Sequence, residues 1–176
     1  MKHILRAAVA VTALAGSAAL AQDLPKTHLK IVGGLSNLTA YNDYEKPFWT
    51  QKVPELSNGQ ITAEIKGFNE MGLKGPELLR LMSQGVVEFG TATLSYFASD
   101  NAINEAIDLA GLAPDVKTAR AVTEAFTPVY EKFYGDGAKV KLLGISPYPA
   151  QVLFCNAEIN KLSDLKGKKV RTSSRT

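Results

Sequence analysis

Cysteine and tryptophan each occur once in the 176 residues, and histidine occurs twice. A lone Cys155 excludes an intrachain disulfide and any multi-cysteine zinc or iron–sulfur site. Neither sign of charge dominates. Twenty Lys and Arg stand against 17 Asp and Glu, a net charge of +3, and without Lys2 and Arg6 the basic residues fall to 18. A chain so close to neutral, with no basic stripe, lacks the electrostatic footprint of a nucleic-acid-binding protein. Neither G-x-G-x-x-G nor G-x-x-x-x-G-K occurs, so no motif calls for a nucleotide or any other cofactor. With 45% hydrophobic and 21% charged residues, disorder, collagen and coiled coil are excluded as well.

Long apolar runs are also missing, except at the start. Residues 7–20 are almost all Ala, Val and Leu, preceded by Lys2 and Arg6 and followed by Ala19-Leu20-Ala21. A charged leader, a short apolar stretch and a small-x-small ending form a secretory signal peptide, expected to be cleaved after Ala21. The run is shorter than the roughly 20 residues that a membrane span needs. No lipobox cysteine accompanies it, so the mature chain is expected to be free outside the cytoplasmic membrane.

The mature chain alternates strand and helix signals. Strands are expected at 29–32, 61–65 and 86–94, with helices at 40–56 and 76–85 between them. Pro47 and Pro54 should kink or shorten the first helix. That order implies an α/β fold with parallel strands covered by helices. A short helix is expected around 104–109. Asp115 should cap a long helix over 116–134 that ends at Gly135-Asp136-Gly137. Strands are then expected at 139–145, 151–155 and 169–172, with a capped turn at 163–167. No helix follows the last strand to cover it, which reads as the front portion of a longer protein.

Hydrolytic chemistry has little to work with. The mature chain has one histidine, His28, in the polar segment before the first strand, a poor place for a general base. Cys155, beside Phe154 in an expected strand, reads as a small buried hydrophobe. The acid pairs Glu70 with Glu77 and Asp100 with Glu105 read as solvated surface charge. What remains is a set of polar residues at the carboxyl ends of expected strands, where open α/β sheets bind ligands. Ser36, Asn37 and Thr39 follow the first strand, and Thr91, Thr93, Ser95 and Tyr96 the third. Tyr148 and Gln151 lie farther on, and Arg171, Ser173 and Ser174 close the last strand. Arg171 is the sharpest candidate, since a guanidinium presents a planar fork of donors to a carboxylate; the competing reading is an exposed arginine in a basic run.

Three stretches carry a family resemblance: Leu-Ser-Asn-Gly-Gln-Ile-Thr at 56–62, Pro-Glu-Leu-Leu-Arg-Leu-Met-Ser-Gln-Gly-Val-Val-Glu-Phe-Gly at 76–90, and Leu-Ser-Asp-Leu-Lys-Gly-Lys-Lys-Val-Arg at 162–171. With the secretory leader, they resemble the amino-terminal portion of the solute-binding proteins of TRAP (tripartite ATP-independent periplasmic) transporters. The resemblance implies a periplasmic-binding-protein-like fold of two α/β lobes, here truncated to the first lobe and the start of the second. It implies a signal peptide at 1–21, a first lobe with its connecting helix at 22–134, and an incomplete second lobe at 135–176. It further implies a periplasmic, non-enzymatic protein that captures a small organic anion and passes it to membrane permease subunits. Arg171 corresponds to the arginine that grips the ligand carboxylate. Gln151 stands where members often carry a second arginine, and this departure bears on the ligand's charge. Thr93 and Asn37 correspond to polar positions after the third and first strands, with Tyr96 and Ser173 beside the implied site. A secreted α/β enzyme and a ligand-sensing protein outside transport are the alternatives.

Overall fold

The computed structural model describes residues 24–148 and 152–171. Its centre is a parallel three-stranded sheet of order β2-β1-β3, with β1 at Thr27–Gly33, β2 at Ile61–Gly67 and β3 at Phe89–Gly90. β1 pairs with β2 over its whole length, from Thr27 opposite Ile61 to Gly33 opposite Gly67. β3 is far shorter than the expected 86–94. Only Phe89 and Gly90 pair with Ile31 and Val32, although the Glu88 and Thr91 amides also donate to Lys30 O and Val32 O.

The expected helix at 40–56 is present in altered form. Two π-helical turns, Ala40–Glu45 and Phe48–Lys52, run into the four-residue α1, Val53–Leu56. The Lys46 and Val53 amides reach back five residues, to Tyr41 O and Phe48 O. Pro47 and Pro54 cannot donate, and the wider turns carry the chain past them. Ser57, 7% exposed, joins this segment to β2: its hydroxyl donates to Val53 O at 2.7 Å and accepts from Ile61 N at 3.0 Å.

Helices cover both faces of the sheet. A β-carbon on Gly33 would lie 2.6 Å from Tyr41 Cε2 and 2.8 Å from Ile65 Cδ1, so the first helical segment presses on that face. Val32 points the opposite way. It packs with Phe68, Leu78 and Val87 into the main core, where Leu78 of α2 (Gly75–Ser83) is 1% exposed. Gly90 lets Met82 and Leu78 close on β3. Glu77 caps α2 by accepting from Lys74 N at 2.8 Å and stays exposed, in keeping with its reading as solvated surface charge.

α3, Val116–Ala138, starts as expected: Asp115 accepts the Thr118 amide at 2.8 Å and the Thr118 hydroxyl at 3.1 Å. It does not stop at Gly135. The left-handed residue is Lys139, at φ 55°, and the helix continues through both glycines, with the Lys132–Asp136 pair at 3.0 Å bridging Gly135. Glycine permits a helix end without compelling one. Tyr130 and Tyr134 anchor α3 on the short 3-10 helix Ala102–Asp108, through hydrogen bonds to Ile103 O (2.9 Å) and Asn104 Oδ1. Glu105 in that helix is 8% exposed, and among the described residues its Oε1 has no hydrogen-bond partner, so it is not the solvated charge expected.

The later strands do not form among the described residues. Among the described residues of 139–171 there is a single 3-10 turn, Leu162–Leu165, where the capped turn was expected, and no strand. Leu143, Val152 and Phe154 are exposed, and so is Cys155, against its reading as buried. A strand requires a neighbour to take its N–H and C=O groups. β1, β2 and β3 pair as strands only with one another, so the described residues of these stretches stay unpaired. Residues 1–21, Gln151 and Thr172 to Ser174 lie outside the described residues.

Candidate functional site

The order β2-β1-β3 carries a topological consequence. The chain leaves β1 for one neighbour and returns to the other side of β1 for the next, so the switch point lies between β1 and β3. Ligands of open α/β sheets bind outside the carboxyl ends of strands at such a point. Here that place is bounded by residues 34–37 after β1 and 91–93 after β3. Asn37, exposed, and Thr93, half-buried, therefore stand on its two rims. Tyr96 follows in the 3-10 turn Leu94–Phe97, its ring stacked on Phe68 at 5.2 Å, so the aromatic face is engaged in packing.

Several residues not singled out from the sequence shape this end of the sheet. Glu45 reaches over the end of β1, and its Oε2 accepts the Gly34 amide at 2.7 Å. A β-carbon on Gly34 would lie 3.3 Å from that oxygen and 3.7 Å from Thr91 Cγ2, which puts the carboxylate and Thr91 on either side of Gly34. Asn69, after β2, accepts from Ser36 N at 2.8 Å and from the Ser36 hydroxyl at 3.2 Å. Asn42 Nδ2 donates to Ser36 O at 2.9 Å, and Glu70 Oε2 accepts from Gly67 N at 2.9 Å. The Gly67 amide, then the Ser36 hydroxyl, hold the Glu70 carboxyl below the usual carboxylate range. Burial, then the charges of Glu70 and Glu45, raise the Tyr41 phenol above its ordinary value.

The electrostatic sense follows from these bonds. The amides of Gly34, Ser36 and Gly67 donate to side chains of the chain itself, and that of Thr91 to Val32 O. These four amides are engaged within the chain, and two of their acceptors are carboxylates. The carboxylates of Glu45 and Glu70 favour hydrogen-bond donors at this end of the sheet. Arg171 is exposed, in irregular chain rather than at a strand end, and no hydrogen bond between described residues ties it to the sheet. Gln151 and Ser173 lie outside the described residues. His28 is on the first residues of β1, its Nδ1 2.9 Å from Thr62 Oγ1, far along the strand from the carboxyl end. Among the described residues no group of three or more His, Cys, Asp or Glu is placed to hold a metal ion. The concave surfaces along α3, lined by residues such as Glu131 and Lys139 or Lys117 and Arg120, share no residue with the switch point.

A sequence signal for Glu45 does exist. It stands four residues after Tyr41, one turn on within an expected helix, and so on the face that meets the sheet. Asn69 and Glu70 follow the second strand as Asn37 follows the first, the same positional signal applied to one more strand.

The sequence matches no protein-family model and no functionally curated protein. Its structure is similar to the crystal structure of a TRAP periplasmic solute binding protein from Ochrobactrum anthropi, with a TM-score of 0.54 and 24% identity over 64% of this chain. The shared fold is periplasmic-binding-protein-like. This chain spans 35% of the length of that protein, whose own C-terminus is bound in its ligand-binding pocket. No helix among the described residues is long and apolar enough to cross a membrane.

Proposed function

We propose that the protein is the periplasmic solute-binding subunit of a TRAP transporter: it captures a small carboxylate-bearing solute and delivers it to membrane permease subunits without chemistry on the ligand. The observation that carries this reading is the fold shared with a TRAP solute-binding protein; the resemblance of the run at 162–171 to that family supports Arg171 as the carboxylate anchor. A neighbour whose pocket accepts a chain terminus supports an acid group as the ligand's fixed feature, because a C-terminus ends in a carboxylate. The carboxylates of Glu45 and Glu70 at the sheet end support the same division of labour, since they leave the anion to a guanidinium. On this reading residues 1–21 direct export and are removed after Ala21. Residues 22–134 make the first lobe, and residues from 135 onward belong to the second. Asn37, Thr93 and Tyr96 contribute to the ligand site from the first lobe, and Gln151, Arg171 and Ser173 belong to it from the second.

Calorimetry on the protein produced from its complete reading frame, with dicarboxylates, keto acids, sugar acids and amino acids, tests the reading. A carboxylate is expected to bind, and Arg171→Gln is expected to cost about 2–5 kcal/mol of binding, the range for breaking a desolvated charge pair, with the melting temperature retained. Wild-type-like binding by Arg171→Gln removes Arg171 from the mechanism, and absence of binding by any carboxylate removes the function.

A further inference from the structure

The carboxylate of Glu45 has a place and a charge that packing alone does not account for. It is held at the switch point by one bond, the Gly34 amide to Oε2, which leaves Oε1 without an assigned donor. It is half-buried, and the ion pairs within 4 Å among the described residues are Lys52–Glu55 and Lys132–Asp136, so no described cation pairs with it. Glycines at 33 and 34 keep the approach narrow: Tyr41 fills the space over Gly33, while Glu45 and Thr91 flank Gly34. A partly desolvated carboxylate with an unused oxygen, beside a threonine at the mouth of a parallel sheet, is an acceptor for a charged donor.

We infer that Glu45 sets the ligand class: the solute is a zwitterion whose ammonium or amidinium group is read by Glu45 beside Thr91 while its carboxylate is held by Arg171. This rests on the solute-binding reading above and narrows it. The two charges of the ligand then meet opposite charges on opposite sides of the cleft. A deaminated acid leaves Glu45 partly buried and unneutralised, and a dicarboxylate sets two like charges against each other, so both are rejected.

The test uses the protein from its complete reading frame and acids matched except for one amino group: glutamate against glutarate, and γ-aminobutyrate against butyrate. Calorimetry is expected to show the aminated member of a pair bound at least 10-fold more tightly by the wild type. Glu45→Gln keeps an oxygen for the Gly34 amide and removes the charge. It is expected to weaken the aminated ligand about 10- to 100-fold and to change the deaminated one by less than about 3-fold. Equal effects of Glu45→Gln on both members, or wild-type preference for the deaminated acid, overturn the inference while leaving carboxylate capture standing. Binding of none of these acids, nor of the wider carboxylate panel, overturns both.

Discussion

In β2 every second side chain is covered, whereas residues 152–155, a more apolar run, are exposed throughout. Ile61 and Ile65 lie beside β1 and under the first helical segment, with seven register partners from Thr27 to Gly33. Val152, Leu153 and Phe154 have no strand beside them, and Phe154 is 89% exposed. The contrast teaches that β-branched and aromatic residues make a strand competent without making it. What separates the two regions is a neighbour for the backbone and a helix for the side chains.

The contrast gives its largest expected effect at Tyr130, fully buried against the 3-10 helix Ala102–Asp108. Tyr130→Ala is expected to destabilise by about 3–5 kcal/mol in urea unfolding, from lost burial and the cavity left behind. Phe154→Ala in the exposed stretch is expected to stay within about 0.5 kcal/mol of wild type. A comparable loss at both positions would break the distinction between the regions. This pair is best measured on residues 22–176, where the exposure just described applies.

Glycines sharpen the comparison at intermediate size. Gly33→Ala drives a methyl into the Tyr41 ring and Ile65, and is expected to cost about 1–3 kcal/mol, as overpacking does. Gly137 in α3 has open space around its Cα, so Gly137→Ala is expected to stabilise by about 0.5–1 kcal/mol in the same unfolding experiment. Destabilisation by Gly137→Ala would show that α3 ends at the glycines after all.

The smallest effect is a slope in alkali. Burial, then the neighbouring Tyr130, push the Tyr134 phenol well above its ordinary value near 10. The folded state thus keeps its proton where the unfolded chain has lost it. This contribution to stability is complete below about pH 10 and falls away as pH rises towards the raised value. Tyr134→Phe is expected to flatten that decline while losing the bond to Asn104, as followed by tyrosinate absorbance during alkaline unfolding. An unchanged slope would place the alkaline sensitivity elsewhere.

How much was legible depends on the range of the interaction. β1, β2, α2 and the Asp115 cap follow from alternation, helical spacing and a capping residue, all contained in a few neighbouring positions. The placing of Asn37 and Thr93 on the rims of the switch point follows from positions just after strands, and the parallel order puts them on adjacent strands. The Glu45 bond to Gly34 was not legible, because it joins positions eleven apart through a π-helical path shaped by two prolines. Nor was the burial of Glu105, which arises when α3 folds back onto residues 102–108.

Local chemistry along the chain accounts for the alternation of strands and helices from β1 to α2 and for the Asp115 cap of α3, since each depends on near neighbours. Packing accounts for the short β3, the unpaired stretches after residue 138 and the meeting of Glu45, Gly34 and Thr91. These depend on which distant groups arrive to take a hydrogen bond, and no window of adjacent residues holds that information.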